Sequence, residues 1–130
     1  MVKKYLEVGM DNWGVLVCYD YDQMDFDDIW AICRSFNLSE KKIDEALHVL
    51  KEPNTGMAIS NADIRMSVIF VSNATSEDEW WSTLSHELWH VATSIIDYYD
   101  EPYDEEPAAY LYGELMRLAI NEIGEPCFNN

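Results

Sequence analysis

The chain has 130 residues, 48% of them hydrophobic and 13% aromatic, which is enough for one domain with its own core and excludes a disordered polymer. Twenty-five acidic residues against eight basic ones give a net charge of −17, so a phosphate backbone is repelled over most of the surface and direct nucleic-acid binding is not expected. No run approaches the roughly 20 apolar residues that a membrane span needs, and Cys18, Cys33 and Cys127 form no CxxC pair, so a cytoplasmic protein with reduced, packing thiols is the expectation.

In chain order, "WGVLVCYDYD" carries a β-rich stretch from Val15 to Tyr19, with a short partner strand in "KKYLEV". "MDFDDIWAICRSF" places Ile29, Ile32, Cys33 and Phe36 at helical spacing, with Asp25 set to cap. "LSEKKIDEALHVLKE" repeats the pattern behind Ser39 and stops at the turn of Pro53, Asn54 and Gly56. "GMAIS" and "IRMSVIFVS" read as a hairpin. "SEDEWW" opens a third helix, with Ser76 and Glu79 as a capping box and three acids in its first turn. "EEPAAYLYGELMRLAINEIG" is a fourth, with Pro107 in its first turn and Gly124 past its end. The expected fold is α+β, a sheet of three or four strands with four helices in a single domain over 1–130, the last two helices carrying the site.

The third helix contains "HELWH", which holds two of the three histidines of the chain, His86 and His90. At about 100° per residue they lie roughly 40° apart on one stripe, and Leu84, Leu88, Val91 and Ile95 form the opposite side, which docks on the core. Neutral imidazole is a good zinc ligand, and a catalytic zinc takes three protein ligands and a water, whose pKa it lowers to about 7. Glu87, about a quarter-turn from His86, is placed to take the proton of that water rather than to bind the ion. The plainer reading makes His86 and His90 partly buried polar residues of an amphipathic helix, hydrogen-bonded to backbone or acids.

A third ligand has to come from elsewhere. Thr93 and Ile96 stand where the HExxHxxGxxH pattern requires glycine and histidine, so that pattern is excluded, and no histidine follows. "DEEPAAYLYGEL" supplies Asp104, Glu105 and Glu106: Glu106, which shares a stripe with Tyr110, Gly113 and Arg117, is chosen, with Asp104, Glu105 and, upstream of that segment, Asp97 as the others.

"HELWH" followed by "EEPAAYLYG" resembles the gluzincin branch of the zincin metallopeptidases in its smallest form, the minigluzincin-like domains. Residues Gly56 to about Leu118 are also similar to small HExxH proteins of phages and of mobile elements of gut bacteria. The resemblance implies a zinc-dependent peptidase with His86, His90 and Glu106 as metal ligands and Glu87 as the catalytic base. It also implies that the strand at 64–72 lies at the cleft edge, where it pairs with an extended peptide or protein substrate. The oxyanion-stabilising residue of such enzymes has no motif here; Tyr98, Tyr99, Tyr103, Tyr110 and His48 are the candidates. Two other functions fit parts of the sequence: a non-catalytic zinc-bound interaction domain, and an acidic nucleic-acid mimic that inhibits a host protein.

Overall fold

The computed structural model describes residues 1–9, 11–99 and 105–126, without the side chains of Glu105 and Glu106. Strand β1 (Val2–Val8) pairs antiparallel with β2 (Trp13–Tyr19). The chain then leaves the sheet through a short 3-10 turn (Gln23–Asp25) and two helices, α1 (Phe26–Ser35) and α2 (Glu40–Leu50). It returns as the hairpin of β3 (Gly56–Asn61) and β4 (Met66–Val71), and β4 inserts parallel to β2. The order across the mixed four-stranded sheet is β1-β2-β4-β3. Two helices follow, α3 (Glu77–Tyr98) and α4 (Glu105–Ile123). The expected α+β class, strand number and helix number all hold.

Both faces of the sheet are covered. Alternate residues of the central strands go to opposite sides, Val15, Val17, Ile69 and Val71 toward α3 and α4, and Cys18, Val68 and Phe70 toward α1 and α2. Buried Trp13 bridges the two hairpins: its indole N–H donates to Ser67 Oγ at 2.9 Å, and Ser67 in turn lies 2.6 Å from Ser60 Oγ on β3. Trp13, Ser67 and Ser60 thus satisfy one another, and among the described residues no buried side-chain polar atom lacks a partner, as a low-dielectric interior requires.

Two local details differ from the sequence reading. Asp22, not Asp25, supplies the side-chain cap before α1: it accepts from the Met24 N–H while Asp25 accepts from the Asp22 N–H, a reciprocal box around the 3-10 turn. The strand at 64–72 is not a sheet edge. Its core, β4, is hydrogen-bonded on both sides, to β2 and to β3, and the edges are β1 and β3. The physical reason is visible in composition: Val68, Ile69, Phe70 and Val71 are all buried, and a strand apolar on both faces belongs in the middle of a covered sheet.

Two thiols fill the α1/α2 side of the core. Burial pushes Cys18 up to about 12 and Cys33 up to about 11. A group raised in the folded state contributes stability that is intact below its unfolded pKa, about 8.5 for a thiol, and is lost as pH climbs toward the folded value. The melting temperature is expected to fall progressively from about pH 9 to pH 11. At pH 8 the native protein should take up iodoacetamide at no more than one of its three cysteines, against all three in guanidinium, as counted by mass spectrometry. Alkylation of Cys18 or Cys33 in the folded protein would contradict this packing.

Candidate metal centre

Helix α3 starts where the sequence reading places it. Ser76 Oγ accepts the Glu79 N–H at 3.1 Å, and Glu77, Asp78 and Glu79 lie at the positive end of the helix dipole. From there Trp80, Leu84, Leu88, Val91 and Ile95 form a fully buried stripe on the sheet. That stripe fixes the rotation of the helix, so His86 and His90 must face away from the sheet, and the His86 side chain is 70% exposed.

Helix α4 holds α3 from one side. The buried residues Leu115 and Ala119 of α4 join the same core as Leu84 and Leu88. The Tyr112 hydroxyl bonds to Ser85 Oγ, and its ring meets Trp89 edge-on at 5.7 Å. Ser85 and Trp89 are the residues immediately before His86 and His90, so α4 grips the helix at the two turns that carry the imidazoles. Sequence reasoning did not single out Tyr112 or Ser85; "YLYG" offered two tyrosines and only packing distinguishes them.

The imidazoles converge. His86 Nε2 and His90 Nε2 lie 3.2 Å apart with the rings nearly perpendicular. Two nitrogens bound tetrahedrally to one zinc at about 2.0–2.1 Å would be separated by about 3.3 Å. The pair thus directs two ring nitrogens at one point, a geometry satisfied by a shared cation or, between two neutral rings, by one shared proton.

Glu87 takes a different position. It lies at the boundary between the buried stripe and the histidine face, 6% exposed, with Oε1 4.0 Å from His86 Nε2. Burial pushes its carboxyl up from the ordinary carboxylate range, and His86 and His90 pull it back down. Its contact with His86 is the ion pair within reach of this carboxylate, and among the described residues no buried side-chain oxygen is left without a partner. His86, Glu87 and His90 form the one group of potential metal-ligating side chains among the described residues, their donor atoms all within 4.8 Å of one another.

The remaining expected residues fall as follows. Glu106 belongs to α4, but its side chain lies outside the described residues, as do those of Asp104 and Glu105, and Tyr103. The stripe chosen to bring Glu106 toward α3 does not face that helix: Tyr110 is 76% exposed, Gly113 has open space around it and Arg117 pairs with Glu114 at the surface. Asp97 is outside the histidine group. Among the oxyanion candidates, Tyr98 packs edge-on against Trp13, Tyr99 bonds through its hydroxyl to the Asp11 carbonyl, and Tyr110 points to solvent. His48 sits on α2, on the other side of the sheet.

A glycine that the sequence reading used only as a turn signal proves to be part of the site. Gly56 opens β3 directly against α3, and a Cβ there would lie 2.8 Å from Thr83 Cγ2, 3.0 Å from Glu87 Cγ and 3.1 Å from the Phe70 carbonyl oxygen. The loop before it is fastened by Asn54, which accepts the Thr75 N–H at 3.0 Å from a left-handed backbone conformation. Edge strand β3 is thereby brought into contact with the Glu87 side chain. Comparison with protein-family models, with curated proteins and with solved structures finds no match to the chain.

Gly56→Ala should destabilise the fold by about 1–3 kcal/mol through overpacking. Thr83→Ser, which removes the nearest of the clashing atoms, should restore part of that loss when the two are combined. Urea denaturation of both single variants and the double variant measures the coupling, and strict additivity would show that β3 does not press on α3 here.

Proposed function

We propose that the chain is a zinc-dependent peptide-bond hydrolase in which His86 and His90 hold the metal and Glu87 is the general base. The observation that carries this reading is the combination of two imidazole nitrogens 3.2 Å apart with the carboxylate of a largely buried glutamate 4.0 Å from one of them. A purely structural histidine pair gives that carboxylate no role beyond a charge partner for His86. A zinc ion bound at such a pair supplies Lewis-acid polarisation of a carbonyl and activation of water at neutral pH.

The residues themselves divide the work. His86 and His90, on consecutive turns of a helix rigidly docked on the sheet, supply two ligands with little conformational freedom left to lose. Glu87 accepts the proton of the attacking water at its carboxylate and delivers it to the leaving amine. Its burial keeps that proton transfer away from bulk solvent, and its upward-shifted pKa makes it a stronger base than an exposed carboxylate. No third ligand is assigned, since Tyr110, Gly113 and Arg117, the α4 stripe on which Glu106 is expected to reach the histidines, do not face α3. The substrate is proposed to be an extended peptide paired with the outer edge of β3, which, unlike β4, has that edge open and reaches Glu87 through Gly56.

Protein purified without added metal should contain about one zinc per chain, and His86→Ala should lose it, as measured by elemental analysis. Glu87→Gln should retain the zinc while lowering cleavage of unstructured protein by at least about a hundredfold. Wild-type protein without stoichiometric zinc, or a Glu87→Gln variant as active as wild type, would remove the basis of the reading.

A further inference from the structure

The two edges of the sheet are protected to different degrees. The β1 strand "VKKYLEV" carries Lys3, Lys4 and Glu7, the kind of charged decoration that keeps a sheet edge from recruiting other strands. Edge strand β3, "GMAISN", has no charge, no proline and an unbroken register with β4 from Gly56 to Asn61. Its pairing phase follows from the bond between the Ser72 N–H and the Thr55 carbonyl: residues 55, 57 and 59 face β4, so Gly56, Ala58 and Ser60 turn their N–H and C=O groups outward.

Beside that open edge, on the side away from α3, runs a groove of about 550 Å³. Its floor is Met57 and Ile59, and its wall is Leu38, Ala46 and Val49 along α2. Val49 is half exposed there although apolar. The charges at this groove are one of each sign, Lys42 and Glu45, so it is locally neutral in a chain of net charge −17. An apolar, charge-balanced trough running beside unpaired backbone suits an extended strand with apolar side chains on one face.

We propose that the groove between α2 and the outer edge of β3 is a subsite that selects aliphatic side chains two residues apart in an extended peptide paired with β3. Side chains of directly opposed residues lie on the same face of a sheet. Peptide residues opposite Met57 and Ile59 therefore enter the α2 groove, and the residue between them, opposite Ala58, faces α3 and Glu87. Recognition on the groove side thus sets the register in which the peptide backbone passes the histidine face. The inference rests on the peptidase reading for its consequence, cleavage, but the binding itself does not require the metal.

Panning random decapeptides displayed on phage against the immobilised full-length Glu87→Gln protein tests it without turnover. Selected peptides should be enriched in aliphatic residues at i and i+2 by at least about tenfold, the selectivity that burying one aliphatic side chain supplies. Val49→Lys, at a half-exposed position, and Ala46→Gln, which fills the wall, should each erase that spacing with the melting temperature unchanged. Ala58→Pro, which removes an outward N–H and leaves the β3–β4 ladder intact, should abolish selection altogether. Failure to select any peptide, absence of the i, i+2 pattern, or its persistence in Val49→Lys and Ala46→Gln would overturn the proposal. Zinc content of the same preparations keeps the two ideas apart: selection without zinc leaves the groove and removes the peptidase, and zinc without selection does the reverse.

Discussion

The rotational setting of α3 on the sheet governs everything else in this molecule. Trp80, Leu84, Leu88, Val91 and Ile95 are each no more than 1% exposed, and burial of side chains of this size contributes about 1.5–3 kcal/mol apiece. Turning the helix by one residue, about 100°, would expose part of that stripe and bury His86 or His90 in its place. Tyr112 on α4, bonded to Ser85 and packed on Trp89, adds a lateral stop. The histidine face is therefore not free to choose its direction; it is what remains when the apolar stripe has been satisfied.

Glu87 lies at the line where these demands conflict. Its position beside the stripe forces burial, and Gly56 lets β3 close over it. Burial disfavours the charged form of an acid and pushes the Glu87 carboxyl up, while His86 and His90 draw it back down. Stability alone would favour an apolar side chain at this boundary, as at Leu84 and Leu88 one turn before it and one residue beyond. A residue that breaks a local packing rule beside two convergent imidazoles is where a chemical role is expected.

Much of this was legible in the sequence, and the failures have identifiable causes. Helical periodicity located all four helices because the apolar stripes of α1, α2 and α3 are long and interrupted by charge, and Ser39 and Ser76 cap as their spacing requires. The convergence of His86 and His90 was legible for the same reason, since i and i+4 on a helix place two side chains on one face whatever else the chain does. Strand position was not. The resemblance places the strand at 64–72 at the cleft edge, free to pair with a substrate, whereas its four consecutive buried apolar residues signal a strand covered on both faces and paired on both sides. The stripe of Tyr110, Gly113 and Arg117, on which Glu106 is expected to reach the histidines, does not meet α3; Tyr112, Leu115 and Ala119 make that contact instead. Periodicity gives the faces of a helix, but which face meets which neighbour depends on tertiary packing that no single segment encodes.

The position of β4 also changes the shape of the site. With β4 in the middle, the strand available to a peptide is β3, whose two faces look at different helices: Gly56 and Ala58 toward α3, Met57 and Ile59 toward α2. A strand added there would be gripped by backbone along its edge and by side chains on both faces, one set near Glu87 and the other near Val49. A purely acidic decoy has no use for a neutral, apolar trough along an undecorated sheet edge, whereas the peptide-binding role proposed above requires one. On that proposal α2, although it lies across the sheet from the histidines, is the part of the fold that would decide which residue of a bound strand reaches them.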